Sequence, residues 1–236
     1  MQTISYEYRF ELPGERTECF QIHLDGATLN PKEELPAELP YWTRLEFHRC
    51  DGCPLLPEEH SHCPLAARIS PVVEHFSNVV SIDRVGVTVV MNERIITRSA
   101  TAQEGISSLL GIIIATSGCP LTAFFKPMAR FHLPFANTDE TFYRAASMYM
   151  LAQYYRWQAG LSADLDMQGL RNYYAQVAKV NRAMAARIRD TQREDGAINA
   201  IVLLDMFVVE LPYGIDATLN ELKPLFEPYL VKKPLL

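Results

Sequence analysis

Apolar residues recur at every second position up to about residue 100, and at every third or fourth position beyond it. A period of two belongs to a strand with one buried face, and a period near 3.6 to a helix with one buried stripe. The switch commits the chain to an α+β architecture: an N-terminal antiparallel β-sheet with one short helix, followed by a C-terminal helical bundle. The expected division is a β-rich, metal-associated region over 1–100 and a helical region over 101–236, packed as one compact unit.

Tyr6, Tyr8, Phe10 and Leu12 alternate with Glu7, Arg9 and Glu11, and after Pro13-Gly14 the alternation resumes at Phe20, Ile22 and Leu24. That pattern predicts a hairpin. A proline-marked connection (Pro31, Pro36, Pro40) leads to an expected third strand from Tyr41 to His48. Leu65, Ile69, Val72, Val73 and Phe76 share a helical face over 64–77, and a second hairpin is expected from Ile82 to Val90 and Arg94 to Ser99. Residues 102–116 read as a helix buried all round. Asn137 or Thr138 caps the next helix, with Asp139 and Glu140 at its positive end and Gly160 after its last turn. Its aromatic residues (Phe142, Tyr143, Tyr149, Tyr154, Tyr155, Trp157) are assigned to the core in preference to a contact surface. Another helix is expected over 166–192, and two more near 196–211 and 215–229.

The richest chemistry lies in residues 48–64, HRCDGCPLLPEEHSHCP. Cys50 and Cys53 place two thiols on one turn, with Gly52 free to fold the backbone between them. Cys63 stands at the start of a helix, where the dipole favours a thiolate. Cys119, in Ser-Gly-Cys-Pro after the apolar helix, is the expected fourth ligand, with His48, His60, His62 and His132 as chemically able replacements. Four thiolates suit tetrahedral Zn2+. The three Cys-Pro pairs keep an iron–sulfur cluster as the alternative, and buried free cysteines need no metal at all. Cys19 lies on the strand face of Gln21 and His23, so it is read as a non-ligand.

Three further groups carry possible chemistry. Lys126, Arg130 and His132 follow the fourth cysteine and could bind an anion, though an ordinary solvated helix face is the simpler reading. Glu58, Glu59, His60 and His62 form a titratable loop able to serve an open metal position. Asp205 interrupts an apolar run and needs water or a partner, for which Asn181, Arg182 and Arg187 are candidates. No Walker-type loop, GxGxxG, HExxH or GxSxG occurs.

The 236 residues carry a net charge of −6, which argues against a nucleic-acid binder. The N-terminus has no signal-peptide pattern and no apolar run is long enough for a bilayer. With an odd count of 5 cysteines, reduced thiols in the cytoplasm are expected rather than a disulfide framework.

From Thr43 to about Met206 the chain resembles a family of uncharacterised bacterial proteins, a domain of unknown function. The resemblance rests on LEFHRCDGCPL, HCPLA, TAQEGISSLLGIIIATSGCPLTAFFKPMARFHLPFA and NAIVLLDM. It implies a bacterial, single-module protein and no particular activity. Three functions therefore stand side by side. One is a binding or regulatory protein whose four-cysteine site ties the sheet to the helices. Another is an iron–sulfur redox or sensory protein. The last is a metal-dependent enzyme with an open coordination position. A protein partner or homo-oligomer is compatible with each.

Overall fold

The computed structural model describes residues 2–191, 198–199, 201–202, 217 and 219–230. Strands β1 (Ile4–Leu12), β2 (Arg16–Leu24), β3 (Arg84–Met91) and β4 (Ile95–Thr101) form one antiparallel sheet in the order β2-β1-β3-β4. The pleat sends Tyr6, Tyr8, Phe10 and Leu12 of β1 to the same face as Val85, Val87 and Val89 of β3, all of them buried. Arg9, Glu11, Thr17 and Cys19 line the opposite side. Cys19 is exposed on edge strand β2.

Helices α1 (Pro64–His75) and α2 (Ala102–Thr116) cover the apolar face. Pro71 removes one amide from α1, which would leave the Ala67 carbonyl short of its donor. The buried Ser70 hydroxyl donates to that carbonyl at 2.9 Å. Thr101 and Glu104 form a reciprocal capping box at the start of α2, fixing the strand-to-helix switch to one residue. After the short α3 (Lys126–Arg130), Asn137 and Glu140 make a second capping box for α4 (Thr138–Gln158).

Helix α5 (Gln168–Arg189) has two jobs. Leu170, Tyr174, Val177 and Ala178 pack with Phe142, Ala145 and Tyr149 of α4. Val180, Met184, Ala185 and Ile188 join the core beneath the sheet. Two expectations are corrected. Residues 41–48 are not a strand but a 3-10 turn (Tyr41–Thr43) followed by tight turns. Their amides bond locally, Thr43 to the Pro40 carbonyl, Arg44 to Tyr41 and Phe47 to Arg44, so few remain for a sheet partner. On α4, Phe142 and Tyr149 are core, but Tyr143, Tyr154, Tyr155 and Trp157 are exposed. Asp205 and most of the expected helix near 196–211 lie outside the described residues, whereas in the last expected helix residues 219–222 are helical and are followed by a 3-10 turn (Lys223–Phe226) and a short helix (Glu227–Leu230). Among the described residues, no helix is long and apolar enough to cross a membrane.

Candidate metal centre

The CxxC motif is a closed turn. The Cys53 amide donates to the Cys50 carbonyl at 3.1 Å, and Gly52 stands at φ +80°, where a side chain would be strained. Arg49 clamps the exit of the turn by donating to the carbonyls of Cys53 and Leu55. Asp51 at its tip pairs with Lys179 of α5 at 3.0 Å. A Cβ added to Gly52 would lie 3.9 Å from Gln176 Oε1, so the turn rests on α5.

Cys63 is the residue that caps α1, with Pro64 in the first helical turn. Its amide donates to the Thr43 carbonyl at 2.8 Å, which ties it to the segment leading into the CxxC turn. Cys119 arrives from the other direction. Helix α2 ends at Thr116, and Gly118 at φ +89° reverses the chain. A Cβ on Gly118 would lie 3.8 Å from Pro64 Cβ, so the end of α2 abuts the start of α1. The Cys119 amide donates to Ser117 Oγ at 3.2 Å, holding that reversal.

The four sulfurs share one electrostatic environment. Burial, then the nearby sulfurs of Cys63, Cys119 and Cys53, push the Cys50 thiol up to about 12. Cys119 is pushed to about 11 by burial, with Cys63 and Cys53 adding to it. Cys63 also rises, mainly by burial, although the amides of Ala66 and Leu65 and the charge of Arg187 act against it. The helix-start position is as expected from the sequence, but loss of hydration outweighs the dipole there. Burial therefore keeps the Cys50, Cys63 and Cys119 thiols protonated near neutral pH. Among the described residues, no three His, Cys, Asp or Glu side chains form a preformed ligand cage. The thiols are neighbours, not a closed coordination sphere.

The histidines named as replacement ligands are engaged elsewhere or exposed. His48 Nε2 pairs with Asp190 at 2.6 Å, and His62 Nδ1 with Thr43 Oγ1 at 2.7 Å. His60 is exposed, as is Glu59 in the same loop. His132 Nε2 meets the Tyr8 hydroxyl, which also contacts Ser108 Oγ at 3.0 Å.

Lys126, Arg130 and His132 do not converge on one anion. Lys126 Nζ donates to the Thr28 carbonyl and Asn30 Oδ1, and the Arg130 guanidinium stacks over Phe131.

Arg187, one of the candidate partners for Asp205, is only 1% exposed and gives its Nη groups to the main-chain carbonyls of Trp42, Arg44 and Leu45, a burial that the sequence reading did not assign; Asp205 itself lies outside the described residues. The available signal was the position of Arg187 beside Met184 and Ile188, at the edge of the apolar stripe of α5.

A family model described as a domain of unknown function (DUF6901) matches residues 4–227, so the chain belongs to that family. No curated protein and no solved structure matches it.

Proposed function

We propose that this member of the family is a metal-binding protein that takes one ion, Zn2+ in the first instance, on Cys50, Cys53, Cys63 and Cys119. The observation that supports the reading is the mutual electrostatic influence of four sulfurs delivered by three separate chain segments. Four soft donors with a CxxC bite suit a tetrahedral ion at about 2.3 Å per Zn–S bond. Cys50, Cys53, Cys63 and Cys119 would hold the ion as thiolates, and a bound ion would supply the positive charge that these crowded thiols lack. Closing the site would join the start of α1, the end of α2 and the loop seated on α5. A binding or regulatory protein stabilised by its metal follows from that cross-link.

The three Cys-Pro pairs, Cys53-Pro54, Cys63-Pro64 and Cys119-Pro120, keep an iron–sulfur cluster as the second reading. One experiment separates them: elemental analysis and a visible spectrum of anaerobically purified protein. One zinc per chain with a blank spectrum supports the first reading. Iron with a shoulder near roughly 400 nm supports the second. Cys50→Ser and Cys63→Ser should each lose the metal and lower Tm by on the order of 10 °C, since a few kcal/mol moves a chain of this size by that much. Wild-type protein without metal, or variants that keep it, would sink the proposal.

A further inference from the structure

A cleft of about 300 Å3 lies between edge strand β2, helix α1 and the proline-marked segment 31–36. That segment is pinned along the edge of β2. Leu24 bridges to Pro31, the Lys32 amide donates to the His23 carbonyl, and Glu33 Oε1 meets His23 Nδ1 at 2.8 Å. On α1, Arg68, Pro71, Val72 and His75 are spaced as i, i+3, i+4 and i+7, so one face of the helix forms the facing wall. Phe20 and Ile22 of β2 and Ile113 of α2 add apolar surface between the walls. The volume stands at the lower end of the range for small-molecule sites, about 300–1,000 Å3.

The charged groups around the cleft are matched, with one exception. The Glu33 carboxylate also accepts from the His23 amide. His75 Nδ1 meets Glu18 Oε2 at 2.5 Å, and Arg16 pairs with the same carboxylate at 2.7 Å. Glu34 is exposed to water. Arg68 is half-buried and makes one hydrogen bond, from Nη1 to the Glu33 carbonyl at 2.6 Å. Among the described residues, no carboxylate forms a salt bridge with it. Burial weakens the guanidinium's hold on its proton, and the charge of Glu33 acts against that. A partly desolvated guanidinium with most of its donors unused is a ready receptor for a planar anion with two oxygens.

We propose that this cleft binds a small organic acid, its carboxylate taken by the Arg68 fork and its apolar body lying against Phe20, Ile22 and Val72. Glu33 and Glu34 on the same wall disfavour a doubly charged phosphate, whereas a singly charged carboxylate is balanced by one arginine. The cleft shares no residue with Cys50, Cys53, Cys63 and Cys119, so the proposal stands apart from the metal reading.

The test uses the full chain, with hexanoate as the probe and hexanamide as its uncharged counterpart, followed in 1H–15N spectra. Hexanoate should give saturable shifts at the Ile22, Val72 and Ile113 amides and at the Arg68 Nε–H. Hexanamide should bind about 10-fold or more weakly, since a hydrogen bond to a charged group carries that much. Arg68→Met keeps an apolar stem against the helix and should lose hexanoate to the same degree. Equal hexanoate binding by wild type and Arg68→Met would overturn the role of Arg68. Should the variant fail to fold, the wild type decides alone: equal affinity for acid and amide, or no saturable shift at these positions, overturns the proposal.

Discussion

His132 illustrates how much a single side chain's surroundings change its chemistry. Its ring sits edge-on to Tyr6 and beside Tyr8, and Arg144, donating to the Met128 and Phe131 carbonyls, brings a positive charge near it. Burial, with Arg144 adding to it, holds the imidazole down at about 3, against an ordinary value near 6.5. The ring is neutral in the native chain at pH 5, while in the unfolded chain it is protonated. The unfolded state therefore binds the extra proton, and stability falls as pH drops from about 6.5 toward 3. Urea unfolding at pH 7.5 and pH 5 should show this loss in wild type and a smaller one in His132→Gln. Equal pH sensitivity in the two would remove His132 as the cause. Tyr8 belongs to the same contact: its hydroxyl is buried and its ionisation is pushed up, so it stays a donor throughout.

At the scale of elements, the contact between α2 and the sheet is set by one glycine. A Cβ on Gly105 would come within 2.8 Å of Phe10 Cε1 and 3.0 Å of Val87 Cγ2, both side chains being fully buried. Gly111, two turns on, has open space at the same position. Gly105→Ala should destabilise the protein by about 1–2 kcal/mol through overpacking. Gly111→Ala should stabilise it by about 0.5–1 kcal/mol, because alanine favours the helix and meets nothing. Denaturant midpoints of the two variants test the pair, and a destabilised Gly111→Ala would contradict the packing described. The capping boxes at Thr101 and Asn137 are also element-scale features. Each is readable as a residue pair three apart, and each begins its helix where the pair predicts.

For the whole molecule, the metal proposed above would act as a cross-link between parts that meet through few hydrogen bonds. Residues 43–45 and 61–63 are joined by the Leu45 and Cys63 amides, while β1 is paired along its length with both β2 and β3. Chelation should then speed hydrogen exchange at Leu45 and Cys63 far more than at Tyr8 or Val89. Uniform acceleration across the sheet and the loop would mean the metal holds up the entire fold rather than the junction.

The helices over 64–77, 102–116 and 138–158, both hairpins and the capped start of α4 were legible in the residues, because each depends on neighbours a few positions apart. The alternation in β1 and the stripe of α5 are local signals, and the CxxC turn carries its own glycine. The segment 41–48 misled because Tyr41, Thr43, Leu45 and Phe47 fall at every second position like a strand, yet most of its backbone bonds go to local turns and to Arg187, and only a short bridge to residues 61–63 remains. Two facts needed the tertiary structure. Cys119 joins Cys63 because α2 lies back across the sheet beside α1, and Arg187 is buried because α5 passes beneath the cysteine loop. Neither follows from periodicity. Spacing along the chain fixes which face a residue occupies, but only the packing of one element on another decides which distant groups share a dry, low-dielectric space.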